Sequence, residues 1–163
     1  MRAYVGVGSN LGDRWAHLAT AAAILRRSPR VSVLRASRVY DTVPIGPPQP
    51  RYLNAALELD TALPPRALHG VLQMAENAAG RRRSGRRYLA RTLDLDLLLY
   101  GEEVILDERL RVPHPELTVR RFVLAPLAEL CPELVVPGTG RSVAELLARA
   151  PPDEVVAVGL YPL

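Results

Sequence analysis

Residues 80–96 read GRRRSGRRYLARTLDLD, and they change character partway along. From Gly80 to Arg91 there are six arginines and no acidic residue. Gly80, Ser84 and Gly85 disfavour a helix there, so a mobile loop is expected. From Thr92 the chain alternates, Thr92-Leu93-Asp94-Leu95-Asp96, and runs into Leu97-Leu98-Leu99-Tyr100. A period of two is the grammar of a strand, in which side chains two apart share a face. Asp94 and Asp96 then stand side by side on one face, with Leu93, Leu95 and Leu97 on the other. Two carboxylates so placed raise each other's pKa unless a cation sits between them. Hard oxygen donors of this kind suit Mg²⁺, which keeps some waters and takes phosphate oxygens as further ligands. Taken singly, paired aspartates can be a solvated strand face and an arginine run a solvated loop. Together they match a polyphosphate with its metal. The chain has no lysine, which excludes a lysine-dependent P-loop and leaves guanidinium forks and backbone amides to hold phosphate.

Elements on either side set this stretch in a fold. Residues 3–8 read as a short buried strand, followed by the turn Gly8-Ser9-Asn10-Leu11-Gly12. Asp13 is a candidate N-cap for a helix over 14–27, with Leu18, Ala22 and Leu25 inward. Residues 31–43 read as one long strand. Four prolines within 44–50 predict a stiff, extended loop. Tyr52 to Asp60 alternates as a returning strand, with Tyr52, Asn54 and Ala56 on one face. An amide beside a tyrosine there is either exposed surface or a pocket reading a heterocycle edge. Pro64 and Pro65 open a helix that runs to about Ala79, where Glu76 points toward the arginine segment. Downstream come a short strand over 103–106, the rigid Val112-Pro113-His114-Pro115 loop, a helix from Arg120, a short helix capped by Ser142, and a last apolar run over 155–160. Strand, helix, strand, strand, helix, strand fits an α+β fold. It is a ferredoxin-like (split βαβ) sandwich, with a mostly antiparallel sheet and helices packed on it.

The chain has 163 residues and a net charge of +4. That length predicts a single domain over 1–163 with a proper core. Much of the positive excess sits in residues 80–91, which argues for a local anion site over a broad basic surface. The lone Cys131 cannot form an internal disulfide and fits a reducing compartment, as a small buried apolar residue. No signal-peptide pattern or membrane-spanning apolar run is present, so a cytoplasmic protein is expected.

Several pieces carry a resemblance. They are Gly8-Ser9-Asn10-Leu11-Gly12, the run from Tyr40 to Gly46, Tyr52-Leu53-Asn54-Ala55-Ala56, Glu76 with Gly80-Arg81, Arg91-Thr92-Leu93-Asp94-Leu95-Asp96, and Val112-Pro113-His114 with Arg120 and Phe122. In this order they resemble the 6-hydroxymethyl-7,8-dihydropterin pyrophosphokinases of folate biosynthesis, over about residues 3–136. The resemblance implies transfer of pyrophosphate from ATP to the pterin's hydroxymethyl group, with AMP released. Asp94 and Asp96 would ligate two Mg²⁺ ions, and Arg81 and Arg91 would neutralise charge developing during transfer, assisted by Arg83. Gln73, Glu76, Tyr88, His114 and Arg120 would serve ATP. Tyr52 and Phe122 would stack on the pterin, and Asn54 and Thr42, with backbone near Val43 and Ile45, would read its polar edge. The proline loop and the arginine segment would close as lids. The chain departs from the family at Tyr88-Leu89-Ala90, where Trp-Gly-Pro is usual, at Pro115, where an aromatic often stands, and at Val43, where proline is expected.

Two other classes compete. An RNA-binding module shares the split βαβ layout and suits a basic chain, but aromatics are few and paired carboxylates repel RNA. A two-metal nuclease would use the aspartates and leave Tyr52, Asn54 and Phe122 without a task. The expected partners are therefore ATP and a reduced pterin, with no nucleic acid or membrane, on a monomer or weak oligomer.

Overall fold

The computed structural model describes residues 1–80 and 90–163. Among these described residues eight strands and four helices follow in the order β1 (Arg2–Ser9), α1 (Arg14–Arg27), β2 (Val31–Ala36), β3 (Val39–Thr42), β4 (Tyr52–Thr61), α2 (Pro65–Ala78), β5 (Asp94–Tyr100), β6 (Ile105–Leu106), β7 (Arg111–Val112), α3 (Arg121–Leu130), α4 (Val143–Arg149) and β8 (Val155–Gly159). The main sheet runs β5-β1-β4-β3-β8, with β2 also on β4, and its pairings are antiparallel. This is the predicted α+β sandwich, extended at one edge by β8.

Three of the helices begin on a local signal. The Asp13 carboxylate accepts the Ala16 N–H at 3.0 Å, and Arg26 and Arg27 lie in the last turn of α1, where cations favour the helix dipole. Pro65 occupies the first turn of α2, where no N–H is needed. Ser142 and Glu145 form a reciprocal capping box on α4.

Strand alternation sorts the core into two layers. Val5 and Val7 of β1, Leu53, Leu57 and Leu59 of β4, and Leu95 and Leu97 of β5 pack with Leu18, Leu25, Leu68 and Leu72 of α1 and α2. On the opposite face Tyr4, Ala56 and Leu98 pack with Leu124, Leu127 and Leu130 of α3 and with Val143 and Leu146 of α4. Cys131 lies in that second layer, and burial pushes its thiol up to about 11, so it is inert packing.

The single strand expected over 31–43 is in fact two. Both halves lie along β4, but they part at Ser37 and Arg38. The buried Ser37 hydroxyl accepts the Ala56 N–H at 2.8 Å and donates to the Arg38 carbonyl at 2.7 Å. A side chain thus stands in for the backbone ladder and ends the strand. The strand expected over 103–106 shortens to Ile105–Leu106, paired with Arg111–Val112. Asp107 turns the chain there by accepting the N–H groups of Arg109 and Leu110. The tail run becomes an edge strand, with Val155 opposite Thr42. Among the described residues no helix is long and apolar enough to cross a membrane.

The two faces of β5 should answer differently to truncation. Leu97 is 2 % exposed, and Leu97→Ala is expected to cost about 2–5 kcal/mol in urea unfolding, the usual range for a buried leucine. Asp96→Ala, on the open face, should cost less than about 1 kcal/mol.

Candidate active site

The helices α3 and α4 cover only part of their sheet face. Where they stop, the sheet floors a cavity of about 570 Å³. The pairing registers set Asp94 beside Gly8, Gly8 beside Asn54 and Asn54 beside Tyr40 in one row across four strands. Asp96, Gly6 and Ala56 form the next row. Gly8 is what lets the first row close up. A Cβ built there would lie 2.7 Å from Asn54 Oδ1 and 3.5 Å from the Tyr52 ring, so the Asn54 side chain lies directly over bare backbone. Its Nδ2 donates to the Thr42 hydroxyl at 2.7 Å.

The walls come from loops and from the start of α3. Val43, Pro44 and Ile45 stand on one side, Phe122 and Val123 on another, and Arg91, Glu108, Arg111, His114, Pro115 and Glu116 complete the lining. One end of the cavity is therefore apolar and aromatic over an amide, and the other is charged.

Charges at that second end are organised by pairs. Arg91 Nη1 lies 3.0 Å from Asp94 Oδ1, an i,i+3 ion pair. Burial opposes the Arg91 charge, but Asp94 together with Tyr52 and Asp96 outweighs it, and the guanidinium is held above its ordinary value. The carboxylate spacing read from the sequence thus comes with its own cation. His114 is anchored by its N–H to the Leu98 carbonyl of β5 at 2.9 Å. Its Nδ1 accepts the Glu116 N–H at 3.2 Å, which leaves Nε2 to carry the proton of the neutral ring. Nε2 faces Asp96 Oδ1 at 3.6 Å. Burial lowers the His114 pKa and outweighs the opposing pull of Glu116 and Asp94.

Ten residues singled out from the sequence line this one cavity: Thr42, Val43, Ile45, Tyr52, Asn54, Arg91, Asp94, Asp96, His114 and Phe122. Three others do not line it. Arg120 donates through Nε to Glu116 at 3.1 Å. Gln73 Nε2 lies 3.1 Å from His69 Nε2. Glu76, expected to point at the arginine segment, is buried, and the residues of that segment it would meet lie outside the described ones. Its Oε1 accepts the Leu95 N–H at 2.8 Å, tying α2 to the strand that carries the aspartates. Arg81, Arg83 and Tyr88, with most of the segment expected to be a loop, lie outside the described residues. Sequence reasoning missed Glu108, Arg111 and Glu116, which flank the His114 loop. It also missed Ser9 and Asn10, which were read only as part of a turn.

Asp94 and Asp96 offer hard oxygen donors on one face, a partial cage of the kind a metal fills out with water and phosphate oxygens. What the arrangement can do is hold a flat, hydrogen-bonding ring at one end and an anionic chain with its cation at the other.

A model of the 7,8-dihydro-6-hydroxymethylpterin-pyrophosphokinase family matches residues 4–132. The 2-amino-4-hydroxy-6-hydroxymethyldihydropteridine pyrophosphokinase of Bacillus subtilis is 45% identical over 133 residues, spanning 81% of this chain and 79% of its own. That of Pseudomonas aeruginosa is 43% identical over 151 residues, 92% of each chain. Among solved structures, wild-type HPPK-DHPS of Plasmodium falciparum with SDX-DHP superposes with a TM-score of 0.69 over 91% of this chain at 15% identity. This chain spans 43% of that one, so the likeness concerns the fold.

The histidine geometry carries a pH signature. With its folded pKa below the ordinary 6.5, His114 takes up its proton in the unfolded chain first. Its contribution to stability is intact above 6.5, falls as the pH drops toward the folded pKa, and levels off below it. In EDTA-treated protein, His114→Gln should flatten the loss of stability in that window. Nitrogen-15 spectra should report the Nε2–H tautomer at neutral pH.

Proposed function

This chain belongs to the 7,8-dihydro-6-hydroxymethylpterin-pyrophosphokinase family, and from that membership we infer that it is an ATP-dependent diphosphotransferase of folate biosynthesis. It transfers pyrophosphate from ATP to the hydroxymethyl group of 6-hydroxymethyl-7,8-dihydropterin, releasing AMP. The hydroxymethyl group gives up its O–H proton to water, and a new bond forms between its oxygen and the β-phosphorus. The bond from that phosphorus to the oxygen bridging it to the α-phosphorus breaks, and its electron pair leaves with AMP. The whole reaction belongs to one domain, 1–163, acting in the cytoplasm as a monomer or weak oligomer.

The observation that best supports a division of labour is the row Asp94, Gly8, Asn54 across the sheet. The pterin takes the Asn54 end, between the rings of Tyr52 and Phe122, with its polar edge facing Asn54, Thr42 and the backbone near Val43 and Ile45. The triphosphate takes the Asp94 end. Two Mg²⁺ ions held by Asp94 and Asp96 would orient the phosphates and withdraw charge from the reacting phosphorus. Arg91, already preset beside Asp94, holds a phosphate oxygen without having to move, so its charge stabilises the transfer with little reorganisation. Arg81 and Arg83 act with it, and His114 and Arg120 hold phosphate oxygens farther along the chain. Gln73, Glu76 and Tyr88 remain assigned to the nucleotide side. For Glu76 the support is indirect, through its hold on Leu95 between the two aspartates.

The direct test is to incubate the protein with ATP, Mg²⁺ and the reduced pterin. AMP and a pterin pyrophosphate ester are expected; ADP would overturn the reading. Asp94→Ala and Asp96→Ala should each abolish turnover while the chain stays folded. Substantial rate at limiting Mg²⁺ in either variant counts against the metal assignment.

Gly8→Ala separates the two ends. The new methyl must push Asn54 aside, so pterin affinity should fall about tenfold or more, the scale of a lost buried hydrogen bond. Binding of an ATP analogue, followed by calorimetry, should change far less.

A further inference from the structure

The proline loop between β3 and β4 has few backbone donors of its own. Pro44, Pro47, Pro48 and Pro50 have no N–H to give, yet their carbonyls still need donors. The donors come from two side-chain amides that do not line the cavity. Gln49 Nε2 donates to the carbonyls of Ile45 and Pro47, each at 3.2 Å. Asn10 Nδ2 donates to Gln49 Oε1 and to the Pro50 carbonyl, each at 2.9 Å.

Asn10 also faces the other way. Its Oδ1 accepts the Arg91 N–H at 2.7 Å, and its own N–H donates to the Arg91 carbonyl at 3.0 Å. Ser9 Oγ adds a bond of 2.5 Å to the Thr92 carbonyl. Asn10 is 1 % exposed, so water does not compete for these bonds. Its amide orientation is dictated by its partners, because the Pro50 carbonyl can only accept and the Arg91 N–H can only donate.

We propose that Asn10 is a positioning residue which, through Gln49, couples the loop walling the pterin end of the cavity to the backbone of Arg91 at the phosphate end. The hydrogen bonds run from Arg91 through Asn10 and Gln49 to Ile45. A shift of the loop when the pterin binds is resisted or passed on at Arg91, and fixing Arg91 on phosphate steadies the loop. Such coupling is reciprocal by linkage. It rests on the assignment of the two ends made above.

The experiment uses the full chain carrying Asn10→Asp, Gln49→Ala, or both. Aspartate keeps the acceptor for the Arg91 N–H and loses both donors, with little change in shape. Calorimetry measures the factor by which a non-hydrolysable ATP analogue with Mg²⁺ changes affinity for the pterin. That factor should differ from one in the unaltered protein and fall toward one in both single variants. In steady state, Gln49→Ala should raise the pterin KM about fivefold and the ATP KM less than about twofold. The double variant should be no worse in pterin KM than Asn10→Asp alone, the non-additivity of residues in one network. Should Asn10→Asp fail to fold, Gln49→Ala on its half-exposed loop carries the test alone. A factor of one in the unaltered protein, an unchanged factor in the variants, or pterin-KM losses that multiply would each overturn the coupling. Failure of the unaltered protein to make AMP would instead fault the enzymatic reading.

Discussion

The cavity depends on β1 crossing the sheet without a side chain between Asn54 and Asp94. Gly8 sits beside both in register, and any Cβ there would strike the Asn54 amide oxygen at 2.7 Å. A glycine inside a strand weakens it by roughly 0.5–1 kcal/mol relative to alanine. On the other face of β1, Val5 and Val7 are buried against α1 and α2, and their packing offsets that cost. The same strand is thus bare on the working face and apolar on the supporting one, which only the two-residue alternation of a strand permits.

Charge follows the same economy of placement. Two carboxylates on one face would repel, yet Asp94 has Arg91 at 3.0 Å and Asp96 has the His114 ring at 3.6 Å. These partners come from opposite directions along the chain, one just before β5 and one from the loop after β7. Arginine suits the first position because its planar fork can hold a carboxylate with one edge and still present N–H groups to a phosphate. Burial lowers the His114 pKa, so near neutral pH the ring stands beside Asp96 as a neutral group and not as a competing cation.

Much of this was legible in the chain, because its signals are local. The Thr92–Tyr100 alternation, the Asp13 cap, the Pro65 helix start and the Tyr52–Asp60 strand each depend on neighbours within a few residues. Where the reading failed, a distant partner decided. Val31, Val33 and Val39 look like one strand until Ser37 bonds to Ala56 of β4. Glu76 looks like a residue of a polar helix face, and nothing near it in sequence reveals that its carboxylate meets the Leu95 N–H, 19 residues away. Asn10 looks like a turn residue, and nothing within the turn reveals that its amide spans two loops 40 and 81 residues on. Ten residues that line the cavity were found by motif, while the residues that hold them were not, because holding is a property of the folded contact.

The segment beyond the family match makes the same point from the C-terminal side. Residues 133–163 lie past the matched region and contribute no lining to the cavity. Yet β8 pairs with β3 so that Val155 lies opposite Thr42, the residue that receives the Asn54 amide. Glu154 lies 3.3 Å from Arg51, which also pairs with Asp41 at the foot of the proline loop. On the other side α4 packs against α3, the helix whose first turn presents Phe122. An edge strand left without β8 would expose the backbone of β3, and an α3 left without α4 would lose part of its apolar partner. Both walls flanking the ring end are therefore braced from behind, by a strand on one and a helix on the other. Thr42 and Phe122 thus each sit on an element that is packed from the side away from the cavity by a part of the tail.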